Sequence, residues 1–192
     1  MNLKSQLWQE SPILFYSLLE DSYDKFVENL FNYSSIINTP NTYGETLLHY
    51  CCFHGIIDKY YALINIGAQI KETKNKSNLL HYACINGKDD FLIVELIKSG
   101  INPVEKNILG HTCLHYAENE KICHYLNLWC LRNNISVQGI IDNDLNSLID
   151  TSKILGHKKS LHYWKTNYPN MKTKENAQNL YVNKNLLCLY PI

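Results

Sequence analysis

The chain has 192 residues, 45% of them hydrophobic, and its 18 basic residues balance 18 acidic ones. That is the length of one domain, able to bury roughly 70% of its unfolded surface, which excludes a generally disordered chain. Zero net charge gives no global field toward nucleic acid or an anionic membrane, and the single arginine, Arg132, argues further against a dedicated reader of bases or phosphates.

The N-terminal text MNLKSQLWQESPILFYSLLED carries one Lys, then Trp, Gln, Glu and Ser before any apolar run, unlike a secretory leader. No stretch reaches the roughly 18–20 apolar residues of a membrane span. Cys188 stands fifth from the end, whereas a prenylation box needs it fourth. The seven cysteines are odd in number and irregularly spaced, which reads as reduced thiols in a cytosolic chain. The abundance of Asn, 23 residues, and of Tyr, 14 residues, reflects AT-rich codons and bears on source, not on mechanism.

In chain order, Ser11-Pro12 opens two helical segments that form an N-terminal cap over residues 8–33. Three related stretches follow: YGETLLHYCCFHG from Tyr43, NKSNLLHYACING from Asn75 and LGHTCLHYAENE from Leu109. His49, His81 and His115 are 32 and 34 residues apart, and Gly67 and Gly100 are 33 apart. This period defines three helix-turn-helix units, 41–72, 74–105 and 107–141. A degenerate copy, DNDLNSLIDTSKILGH, forms a C-terminal unit over 142–168, and 169–192 is a polar tail with an apolar end. Thr46, Asn78, Thr112 and Ser147 stand where each copy needs a helix N-cap. Cys51, Ala83, Ala117 and Ser152 are small enough to let inner helices approach closely. Gly44 and Gly110 suit turn positions with positive φ, and Gly67 and Gly100 suit the position after the second helix.

This pattern resembles the ankyrin repeat, G-x-T-P-L-H-x-A followed by G and by L-L-x-x-G-A. The first copy matches at Gly44, Thr46, Leu48, His49, Gly55, Leu63, Gly67 and Ala68. The family proline is replaced by Leu47, Leu79, Cys113 and Leu148, and the turn glycine by Lys76 and Leu145. The third unit lacks the mid-repeat glycine and runs about two residues long. The resemblance implies an all-α solenoid over 1–168, built from stacked helix pairs with short β-hairpin fingers. It also implies that the repeat His bonds the N-cap and the neighbouring backbone.

The function implied is binding of another protein through the concave face, as an adaptor, inhibitor or decoy, by a chain monomeric on its own and without a cofactor. Such an array fits an effector delivered into a host cell by a non-Sec route. The contacts expected are Thr42, Tyr43, Glu45, Tyr50, Phe53, His54, Ser77, Tyr82, Ile85, Asn86, Ile108, Leu109, His111 and Tyr116. Tyr50, Tyr82 and Tyr116 each follow the repeat His, so they read either as an aromatic stripe on that face or as packing residues. Charges on the second helices, such as Lys59 and Glu95, read as solvated. The alternative is a Cys/His enzyme, or an enzyme-regulating subunit, using a groove between repeats; Cys52 with His54 and Cys123 with His124 are the nearest pairs in sequence. A zinc reading lacks the ligand spacing.

Overall fold

The computed structural model describes residues 12–174, and the residues expected to start the N-terminal cap and most of the polar tail lie outside them. The described residues form ten α-helices: α1 (Pro12–Glu20), α2 (Tyr23–Asn32), α3 (Leu47–His54), α4 (Ile57–Asn65), α5 (Leu79–Asn86), α6 (Asp90–Lys98), α7 (Cys113–Tyr116), α8 (Glu120–Arg132), α9 (Leu148–Leu155) and α10 (Lys158–Asn167). Single 3-10 turns lie at Ser34–Ile36 and Val137–Gly139. Among the described residues no helix is long and apolar enough to cross a membrane.

Odd-numbered helices stack in one row, α1 on α3 on α5 on α7 on α9. Even-numbered helices form a second row beside them, with α2 on α4, α6 on α8 and α8 on α10. The inner helices are covered nearly all round: Leu47 to Cys52 and Leu79 to Ile85 are buried without a break. A helix that is apolar on every side belongs in an interior. The outer helices bury one stripe each, such as Leu92, Ile93 and Leu96 on α6. Cys51, Ala83, Ala117 and Ser152 are all inside, where a larger side chain would hold the inner row apart.

The four N-caps fall at Thr46, Asn78, Thr112 and Ser147, and each starts a capping box. Gly55, Gly87 and Gly156 close α3, α5 and α9 in the left-handed region. The third unit has no glycine at that point. Its inner helix α7 stops after four residues at Ala117, which turns to φ −56° and ψ 115°. Asn134, at φ 56°, ends the long α8, where Gly67 and Gly100 end α4 and α6. Asn tolerates this conformation better than other non-glycine residues.

Short β-hairpins are absent among the described residues; an isolated bridge, Ile141 with Ser147, takes their place. The fingers are five-residue turns, closed by Asn41 N–H to Glu45 O, Thr73 to Ser77, Asn107 to His111 and Asp142 to Asn146. Each turn meets the next through one backbone hydrogen bond: Lys74 N–H to Tyr43 O, Ile108 N–H to Asn75 O and Asn143 N–H to Leu109 O, at 2.9–3.0 Å.

At the first and third turns that approach leaves no room for a Cβ. Gly44 has φ 84° and Gly110 φ 76°. A Cβ on Gly110 would fall on the backbone N and side chain of Asn143. We expect Gly110→Ala to add about 1–2 kcal/mol of left-handed strain to that clash and to lower the thermal midpoint by about 5 °C or more. An unchanged midpoint would show that the two turns are not held this closely.

After α10 the chain turns back. Met171 is buried, the Lys174 amide donates to Asp150 Oδ2 at 3.1 Å, and the Lys174 ammonium reaches the Asp144 carbonyl. The described start of the tail therefore returns to the first turn of α9 and the fourth finger.

Candidate binding face

The inner helices and fingers are joined by a buried polar ladder. In three units the His at the third helical position serves the capping box. The N-cap backbone N–H donates to its Nδ1: Thr46 to His49 at 3.0 Å, Asn78 to His81 at 3.3 Å and Thr112 to His115 at 3.0 Å. An accepting Nδ1 leaves the ring proton on Nε2. His81 Nε2 then donates to the His111 carbonyl of the next finger at 3.0 Å. The backbone of Lys71 and Ser77 lies near the His49 ring, but the buried Nε2 atoms of His49 and His115 make no hydrogen bond among the described residues. Burial drives the pKa of His49 and His81 down to about 4 and that of His115 to about 3. In the fourth unit Asp150 replaces the His and accepts from Ser147 N–H at 3.1 Å.

The tyrosines after these histidines complete the ladder from inside. Tyr82 packs edge-on against His49 of the preceding unit, with ring centroids 4.9 Å apart, and Tyr116 against His81 at 6.0 Å. Tyr50 does the same on Phe15 at 4.6 Å. Their hydroxyls are used too. Tyr50 and Tyr82 both donate to the buried Glu45 carboxylate, at 3.0 and 2.6 Å, and Asn41 donates to it at 2.6 Å. Tyr116 Oη lies 2.8 Å from His111 Nδ1, and His111 Nε2 lies 3.1 Å from Asp142 Oδ2. Burial alone would raise the Asp142 carboxyl; hydrogen bonds from His111 and from the Asn146 side chain and backbone hold it well below the usual range.

Of the expected contacts, Glu45, Tyr50, Ser77, Tyr82, Ile85 and Tyr116 are thus buried. The aromatic stripe is an internal ladder, because each ring fills the space beside the neighbouring unit's imidazole. Phe53 and His54 are half-buried and pack on each other at 5.1 Å. Asn86, Leu109 and His111 are also half-buried. Thr42, Tyr43 and Ile108 are exposed at finger tips. The tips also present exposed residues not among the expected contacts: Lys74, Lys76, Asn143, Asp144 and Leu145. For Lys76 and Leu145 the signal was the missing turn glycine, which reads in sequence only as degeneracy.

Cys51, Cys52, Cys84, Cys113, Cys123 and Cys130 are free and buried. Burial raises the thiol pKa of Cys51, Cys52 and Cys113, and pushes Cys123 up to about 12 and Cys130 to about 11. A thiol so held carries almost no thiolate at neutral pH. Among the described residues no group of three or more His, Cys, Asp or Glu side chains could hold a metal ion. An open groove of about 450 Å³ lies at the starts of α6, α8 and α10, lined by Asp90, Asn119, Glu120, Lys121 and Lys159. The Lys121–Asp90 ion pair crosses it. Lys158 and Lys159 are solvated there.

No family model matches the chain, and no curated protein matches it.

Proposed function

We propose that the chain is an ankyrin-type array that binds a partner protein through its finger tips. The observation that carries the reading is the line of four turns in register. Each is closed by the same hydrogen bond and tied to the next, and apolar side chains stand on the tips: Tyr43, Ile108 and Leu145 are 43%, 55% and 65% exposed. A rigid base that holds apolar groups in water is the anatomy of a binding surface. The buried His and Tyr ladder fixes the geometry of that base, so partners would meet a preorganised edge. The effector role, delivered into a host cell, rests on the sequence resemblance alone. The Cys/His enzyme reading is disfavoured because the thiols with raised pKa values lack the thiolate that nucleophilic chemistry needs.

The test is capture of a partner from host lysate with the full chain, followed by binding measurements on variants. Tyr43→Ala combined with Ile108→Ala should weaken binding by about tenfold or more, with helical content retained. Glu95→Lys on α6 should leave it unchanged. The opposite pattern would place the partner on the outer helices and end the finger-tip reading.

A further inference from the structure

Gly44 and Gly110 occupy the left-handed turn position in the first and third fingers. The same position in the second and fourth fingers is held by Lys76 at φ 59° and Leu145 at φ 62°. Both close the same hydrogen bond, Lys76 N–H to Thr73 O and Leu145 N–H to Asp142 O. A residue with a Cβ is strained there, and a bulky one is a genuine outlier. Leu145 is also 65% exposed, so it gains nothing from burial in return. Lys76 is exposed and takes part in no ion pair within the described residues. Its neighbour Lys74 is exposed as well, while the nearby Glu105 carboxylate accepts from Asn78 and Glu72 lies outside the turn. Strain kept at an exposed position points to a contact made outside the fold.

Resting on the finger-tip reading, we propose that Lys76 and Leu145 select the partner. The partner is an extended polypeptide segment that runs along the tips, with a carboxylate opposite Lys76 and apolar side chains opposite Tyr43, Ile108 and Leu145. Charge complementarity sets the acidic residue: the second tip carries Lys74 and Lys76, and the tips on either side are apolar. Spacing sets the pattern. Consecutive fingers are two hydrogen-bonded chain widths apart, roughly 10 Å, and an extended segment in the polyproline-II form rises roughly 3.1 Å per residue with about three residues per turn, so side chains three apart face the same way. The acidic residue is therefore flanked by apolar ones about three residues away on either side.

A display library of short random peptides selected on the full chain is the probe. The expected result is enrichment of that acidic-apolar spacing. Binding of the enriched peptides should fall about tenfold or more, the loss of one good contact, in Lys76→Gly and in Leu145→Gly. The thermal midpoint of both variants should be no lower than that of the parent, because glycine relieves the turn. Lys76→Gln, which keeps the side chain and removes the charge, should lose binding as well. Enrichment of basic or patternless peptides, no enrichment, or full binding by all three variants overturns the inference. If binding survives in these but is lost in Tyr43→Ala with Ile108→Ala, the selection rule fails and the finger-tip reading stands. If it survives in all, both fail.

Discussion

Lowering the pH from 7 to 4 is expected to unfold the protein, with a midpoint of about pH 5. His49, His81 and His115 are essentially inaccessible, and burial takes their pKa values from 6.5 down to about 4, 4 and 3. A depressed histidine pKa means that the unfolded chain binds more protons than the folded one between about 6.5 and 4. Stability is therefore complete above pH 6.5 and falls as pH drops through that window. Each ring is linked to on the order of 3 kcal/mol across it, against a total of about 5–15 kcal/mol for a typical domain. The geometry gives the same sign. Protonating Nδ1 would set a second donor against the Thr46, Asn78 or Thr112 amide. Asp142 adds to the loss only below the ordinary carboxylate range, since its pKa is lowered. Helical circular dichroism across pH 7 to 4 checks this. Helicity unchanged at pH 4 would mean that these rings are not held neutral.

The repeating parts of this fold were legible because several weak signals share one period. The four N-caps, the turn glycines and the small inner-helix residues each recur, and each occupies the place its chemistry suggests. What was not legible depends on residues distant in sequence. Tyr82 reads either as an aromatic of the concave face or as a packing residue until its contacts with His49 and Glu45, more than thirty residues back, are known. α7 stops at Ala117, short of where the missing glycine would fall, and α8 begins at Glu120; the repeat pattern shows neither boundary. Leu145 reads as a decayed repeat position, and only its φ and exposure mark it as a candidate contact.

Lys59 departs furthest from its sequence reading, and its substitution should be among the most damaging. In IDKYYALIN it looks like a solvated charge on α4, and reversing it should then matter little. Instead it is 6% exposed, and its ammonium donates to the carbonyls of Ser17, Leu18 and Asp21 at 3.1, 2.8 and 2.6 Å. These are carbonyls at the C-terminal end of α1 and the turn after it, where unsatisfied oxygens gather and a cation is favoured. The Phe26 ring lies 5.1 Å away on α2. One side chain thus ties α4 to both helices of the first pair. Burial lowers the lysine pKa, and the nearby carboxylates of Asp58 and Asp21 oppose that shift. Lys59→Glu would aim a carboxylate at three carbonyl oxygens, in a site without a cation to receive it. The expected loss is about 3–5 kcal/mol, that of breaking a buried charged contact. Lys59→Met keeps the aliphatic stem and should cost less, about 1–3 kcal/mol for the orphaned carbonyls. Urea denaturation followed by circular dichroism ranks the three proteins, and hydrogen exchange should show α1 and α2 losing protection first in Lys59→Met. Equal denaturation midpoints for the parent and Lys59→Glu would mean that the ammonium is solvated and the first helix pair is held by apolar contacts alone.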